Sequence, residues 1–85
     1  MTPEIQLTLI GKPGCHLCDD AEVVINDVLA DFKGPVSLTK ENILEDDALF
    51  ARYSEEIPVL LINGKVHNYW RIDPIRFREA LQKLL

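Results

Sequence analysis

Apolar and polar residues alternate at the start of the chain. Ile5, Leu7 and Leu9 are separated by Gln6 and Thr8, and Ile10 extends the run. A period of two predicts a strand over residues 5–10. Gly11-Lys12-Pro13-Gly14 then breaks the pattern. The period next lengthens to three and four: Leu17, Ala21, Val24, Ile25, Val28 and Phe32 share one face of a predicted helix, which Gly34-Pro35 stops. Val36 and Leu38 alternate with Ser37 and Thr39, predicting a second strand. Asp46 or Asp47 can cap a short helix through Ala48, Leu49 and Tyr53. Pro58 opens Val59-Leu60-Leu61-Ile62, whose uninterrupted apolar character predicts a buried strand. Asn63-Gly64 predicts a two-residue hairpin turn, because both residues tolerate positive φ. Residues 65–69 then form the returning strand. Asp73-Pro74 supplies a helix cap followed by proline at the first helical position, and Phe77, Ala80, Leu81 and Leu84 give that helix its buried face.

The order is β-α-β-α-β-β-α. It begins with a parallel βαβ unit, whose crossover is right-handed, and ends with a hairpin and a packing helix. The expected fold class is α/β: a four-stranded mixed sheet flanked by helices. The 85 residues leave room for one domain, spanning 1–85, with a thin core.

Charge narrows the partners. The formal net charge is -5, and it is uneven: residues 1–63 carry -8 and residues 64–85 carry +3. An acidic body repels phosphate backbones, so no nucleic acid is expected as a partner. The basic tail reads as a solvated helix face, with an acidic partner as the alternative. No basic start leads into an apolar run, so no signal peptide is predicted. No apolar stretch approaches the ~20 residues needed to span a bilayer, so no membrane partner is expected and the expected location is cytoplasmic. In that compartment two cysteines three positions apart point to redox or metal chemistry rather than to a structural staple.

Those cysteines lie in Gly14-Cys15-His16-Leu17-Cys18, between the first strand and the first helix. The free N–H groups of a helix start carry partial positive charge and favour a thiolate at Cys15. Asp19 and Asp20 oppose it, which moderates the effect. Cys18 lies one turn on, within disulfide reach, and is expected to be buried and protonated. Cys15 is therefore the expected nucleophile and Cys18 the resolving thiol. His16, between them, is either a spacer or a charge that stabilises the thiolate. A metal site would need four ligands, and Cys15, Cys18, His16 and His67 are the only soft donors. His16 lies inside the chelate loop, so no metal site is expected within one chain. A cluster shared by two chains stays open.

The strand, Lys12-Pro13-Gly14-Cys15-His16-Leu17-Cys18-Asp19, the helix, and a later Ile57-Pro58 before an apolar strand together resemble the glutaredoxin-like branch of the thioredoxin superfamily. The chain is similar to a group of short glutaredoxin-like proteins with a Cys-His-Leu-Cys motif. The resemblance implies a thioredoxin-like fold and dithiol chemistry. It also implies a cis peptide bond before Pro58, beside the nucleophile, with Ile57 offering backbone groups to a substrate strand. Lys12 matches a lysine that pairs with a glutathione carboxylate in glutaredoxins. Two departures stand out. His16-Leu17 replaces the usual Pro-Tyr. Where the family has a Gly-Gly pair and an aspartate for glutathione, this chain reads Asn68-Tyr69-Trp70-Arg71-Ile72-Asp73. Asp73 reads as a helix cap. Arg71 is a candidate partner for a substrate carboxylate, and Trp70 either shapes the groove or closes the core.

The expected function is thiol-disulfide exchange on protein disulfides or glutathione mixed disulfides. A reductase or glutathione would donate electrons. No cofactor is expected to be bound, glutathione being considered only as co-substrate, and the expected state is a monomer. The candidate site residues are Cys15 and Cys18 for chemistry and Lys12, His16, Leu17, Ile57, Pro58 and Arg71 for substrate. The alternative is a non-catalytic binding module on the same fold, a redox-responsive adaptor or a metal-cluster carrier.

Overall fold

The computed structural model describes residues 4–85. Strand β1 is Ile5–Gly11, helix α1 His16–Asp31, strand β2 Val36–Asn42, helix α2 Asp47–Tyr53, strands β3 and β4 Val59–Ile62 and Lys65–Tyr69, and helix α3 Pro74–Gln82. The sheet order is β2-β1-β3-β4. β1 runs parallel to β2 and antiparallel to β3, and β3 pairs antiparallel with β4. The expected mixed sheet is therefore present, with the first crossover carried by α1.

Side-chain alternation on the strands divides the interior in two. Ile5, Leu7 and Leu9 of β1 and Leu60 and Ile62 of β3 face α1 and α3, where Ala21, Ile25, Val28, Phe77 and Leu81 meet them. Ile10 and Val59 face the other way, onto Ile43 and Tyr53. The second cluster is smaller because α2 is short and covers only the end of the sheet nearest the cysteines. Both faces of β1 are thus packed where the chain leaves it for the Cys15 loop. No helix among the described residues is long and apolar enough to cross a membrane.

Local chemistry explains the boundaries. Asp46 and Asp73 cap α2 and α3 by accepting bonds from the first free N–H groups. The hairpin turn has Asn63 at φ 51° and Gly64 at φ 82°. Asn63 also ties the turn to β1, accepting from Gln6 N through Oδ1 at 2.9 Å and donating its own N–H to Gln6 O at 2.7 Å. Five boundaries differ from expectation. β1 runs on through Gly11, which pairs with Asn42 instead of breaking the strand, and β2 extends past Thr39 to Asn42. α1 stops at Asp31, ahead of Gly34-Pro35, because the Phe32 N–H turns back to Leu29 O. A 3-10 turn, Ile43–Glu45, precedes α2, set by the Asn42 side chain accepting from Leu44 N at 2.8 Å. α3 ends at Gln82, which leaves Leu84 beyond the helical stripe and 40% exposed instead of buried.

Strand β4 carries a bulge. Val66 pairs with Leu61 and Asn68 with Leu60, so His67 is the extra residue. His67 packs against Phe77, ring centroids 6.2 Å apart. Its Nε2 is buried without a hydrogen-bond partner among the described residues. Burial, and then the Arg76 charge, push its pKa below 6.5, against a smaller opposing effect of Asp73. The folded state thus holds fewer protons on His67 than the unfolded chain does. Stability from this group is full above about 6.5, the unfolded value, and falls as the pH drops below it. Urea midpoints at pH 7.5 and 5.5 are expected to show an acid loss that His67→Phe reduces. An equal loss in the variant would remove His67 from the account.

Candidate functional site

β1 ends at Gly11, and the loop Lys12-Pro13-Gly14 turns the chain into α1. Gly14, at φ 74°, adopts the left-handed conformation this turn requires. Cys15 is the N-cap of α1, and its sulfur accepts the Cys18 N–H at 3.2 Å. A cap position normally filled by a serine or aspartate oxygen is thus filled by sulfur, aimed at the positive end of the helix. Cys15 is half-buried, Cys18 is 8% exposed, and both are free thiols. Burial, the facing Cys15 and the Asp19 charge raise the Cys18 thiol from 9.0 to about 11, while a bond from the Lys12 backbone opposes them. One thiol is therefore presented at the helix tip, and the other is buried one turn behind it with its pKa raised.

Gly11 makes that placement feasible. A Cβ added there would lie 2.8 Å from the Cys18 sulfur. Only a residue without a side chain lets β1 pass this close to the thiol. The sequence showed Gly11 as a strand breaker. Its closeness to Cys18 depends on how β1 meets α1, which spacing alone does not reveal.

On the β4 side, the Ile57–Pro58 peptide is cis, as the resemblance implied. The Ile57 N–H is donated to Tyr53 O at 3.1 Å, which engages one of the backbone groups that the resemblance offers to a substrate strand. Pro58 O accepts the Trp70 N–H at 2.8 Å, and the Trp70 indole donates to Glu55 O at 3.0 Å. Trp70 stands at φ 63°, the left-handed region, at a cost of roughly 1–2 kcal/mol for a side chain of this kind. The backbone shape that suits glycine is kept here while the side chain is large. Leu17, half-buried, and Arg71, exposed, line a groove with Tyr69 and Trp70. His16 is exposed on the first turn of α1.

On the β2 side, Lys12 borders a separate cavity of about 250 Å³ that has Cys18 on its wall. Lys40 and Glu22 form an ion pair at 3.1 Å beside it. The candidate residues therefore fall on two flanks of the cysteines. Leu17, Ile57, Pro58 and Arg71 gather toward β3 and β4, and Lys12 lies toward β2. Glu22 and Lys40 escaped the sequence reading because their meeting depends on the β1–β2 register, although Glu22 lies four residues after Cys18.

Residues 6–82 match the Glutaredoxin-like domain (DUF836). The chain belongs to this glutaredoxin-like family. Similar curated proteins include uncharacterized ones from Mycobacterium tuberculosis and Mycobacterium bovis, each 29% identical over 92% of this chain and 84% of the relative. A solved protein of X. campestris is 30% identical, with TM-score 0.74 over 91% of this chain and 96% of that one. Chloroplastic thioredoxin z superposes with TM-score 0.75 over 95% of this chain and 78% of that one, at 13% identity, which speaks for the fold alone. The fold of this glutaredoxin-like protein is thus thioredoxin-like.

Proposed function

We propose that this glutaredoxin-like protein is a dithiol oxidoreductase that reduces protein disulfides or glutathione mixed disulfides. The observation that carries the reading is the unequal placement of the two thiols: Cys15 caps α1 and is half-buried, while Cys18 is buried one turn behind it, where burial raises its pKa. Cys15 attacks a substrate disulfide and forms a mixed disulfide, releasing the first substrate sulfur as a thiolate. Cys18 then attacks Cys15, the internal disulfide forms, and the second substrate sulfur leaves reduced. Glutathione or a reductase returns two electrons to Cys15–Cys18. The setting in which such a pair is kept reduced between turnovers is the cytoplasm.

Protein disulfides fit the site better than glutathione. Typical glutaredoxins bring a glycine pair against glutathione in this region, whereas this chain carries the large Trp70 side chain, its indole tied to Glu55. Leu17, two residues after Cys15, forms an apolar surface with Tyr69 and Trp70, with Arg71 at its edge for a substrate carboxylate.

The test is equilibration in glutathione buffers of graded poise, followed by mass-tag alkylation and weighing. The expected product is an internal Cys15–Cys18 disulfide forming between about -200 and -270 mV. A persistent glutathione adduct on Cys15 would move glutathione from donor to substrate. Absence of both species at every poise would sink the exchange mechanism and favour the binding module.

A further inference from the structure

A resolving thiol has to lose a proton before it attacks, and Cys18 is poorly placed to lose it unaided. Its opening to solvent is the cavity on the β2 side. At about 250 Å³, it far exceeds the ~10–15 Å³ that admits one water. The charged residues that line it come from three elements: Lys12 from the loop, Asp19 and Glu22 from α1, and Lys40 and Glu41 from β2, the last by its backbone side only. Cys15 flanks the thiol on its other side.

These groups are not equivalent. Glu22 follows Cys18 by four residues, so the two side chains stand one above the other on the same helix face. Lys40 Nζ donates to both Glu22 oxygens, at 3.1 and 3.3 Å, and holds the carboxylate at the cavity. Asp19 is the next residue after Cys18, about 100° around the helix. It accepts no side-chain hydrogen bond among the described residues, and its charge opposes a Cys18 thiolate. Glu41 follows Lys40 on β2, and strand alternation sends its side chain to the opposite face of the sheet. Lys12 and Lys40 are cations and accept no proton.

We propose that Glu22 is the proton acceptor for Cys18 in the resolving step, reached through water in this cavity and positioned by Lys40. The inference rests on the oxidoreductase reading. As the Cys18 sulfur bonds to the Cys15 sulfur, its proton passes to the Glu22 carboxylate. The bond from Cys15 to the substrate sulfur breaks, and the substrate leaves as a thiolate with the electron pair of that bond. The protein dithiol is oxidised by two electrons and the substrate disulfide is reduced by the same two. The proton on Glu22 returns to water or to the departing thiolate.

The experiment mixes the reduced full chain with dithiobis(nitrobenzoate) in a stopped-flow instrument across pH 6–10. The first thionitrobenzoate released reports attack by Cys15 and depends on reagent concentration. The second reports attack by Cys18 and does not. In Glu22→Gln the second phase is expected to slow about 100-fold near pH 7, the lower end of what a positioned base supplies. The first phase stays unchanged. The variant's rate rises tenfold per pH unit and meets the wild type near pH 10. Glu22→Asp keeps part of the rate, Lys40→Met loses a smaller part, and Asp19→Asn slows nothing. Added imidazole speeds Glu22→Ala and leaves the wild type unmoved. A Glu22→Gln second phase with the wild-type rate and pH profile would overturn the proposal and leave the oxidoreductase reading standing. A wild-type protein with no second phase at all would overturn both.

Discussion

Cys15→Ser is expected to lower disulfide turnover to the uncatalysed rate without lowering the melting temperature. The two halves of that expectation have separate causes. Serine cannot form the disulfide that the reaction passes through. Yet Cys15 is the N-cap of α1, accepting the Cys18 N–H, and serine is among the best residues for that position. Loss of activity with an intact fold would therefore be a loss of chemistry. Cys18→Ala is the matching variant, because alanine leaves no unpaired hydroxyl where the side chain is buried. It is expected to stop after the first step and accumulate a mixed disulfide on Cys15, visible by intact mass. A Cys15→Ser protein that turns over a small disulfide at the wild-type rate would end the mechanism. So would a Cys18→Ala protein that forms no adduct.

Gly11→Ala should slow closure of the Cys15–Cys18 disulfide by about 100-fold, more than its small size suggests. The new methyl would lie 2.8 Å from the Cys18 sulfur, inside the distance real side-chain carbons keep. Gly11 is paired with Asn42 at the end of β1, and Ile10, the residue before it, is fully buried. The strand therefore has little room to move, and the sulfur is displaced instead. A misplacement of roughly 1 Å at a reacting atom costs about 10²-fold. The attack by Cys15 is expected to keep its rate, since Cys15 does not touch Gly11. Single-turnover kinetics separate the two steps, and equal slowing of both would point to general damage.

The cysteines were legible in the sequence because their chemistry depends on local facts: a strand, a glycine turn and a helix start within a few residues. Pro58 was legible only through resemblance, since nothing in its neighbours distinguishes a cis bond from a trans one. The hairpin was legible because Asn63-Gly64 matches one turn type. The Asp73 cap was legible because cap and proline adjoin. Glu22, Lys40 and the closeness of Gly11 to Cys18 were not legible, because each is a relation between segments that meet only when β2 lies beside β1 and α1 returns over them. Leu84 misled for a related reason. Its spacing fits the α3 stripe, but the helix ends at Gln82, and a periodic pattern does not report where hydrogen bonding stops.

The double tie from Trp70 to the segment before β3 has a consequence for the thermodynamics of recognition. The peptide N–H of Trp70 holds Pro58 O and its indole holds Glu55 O, so the loop bearing Arg71 and the loop bearing Pro58 are fastened into one wall. The freedom of that wall is surrendered when the chain folds. An arriving partner meets a surface already in shape and gives up little further entropy in arranging it, so its contacts are spent on discrimination among partners.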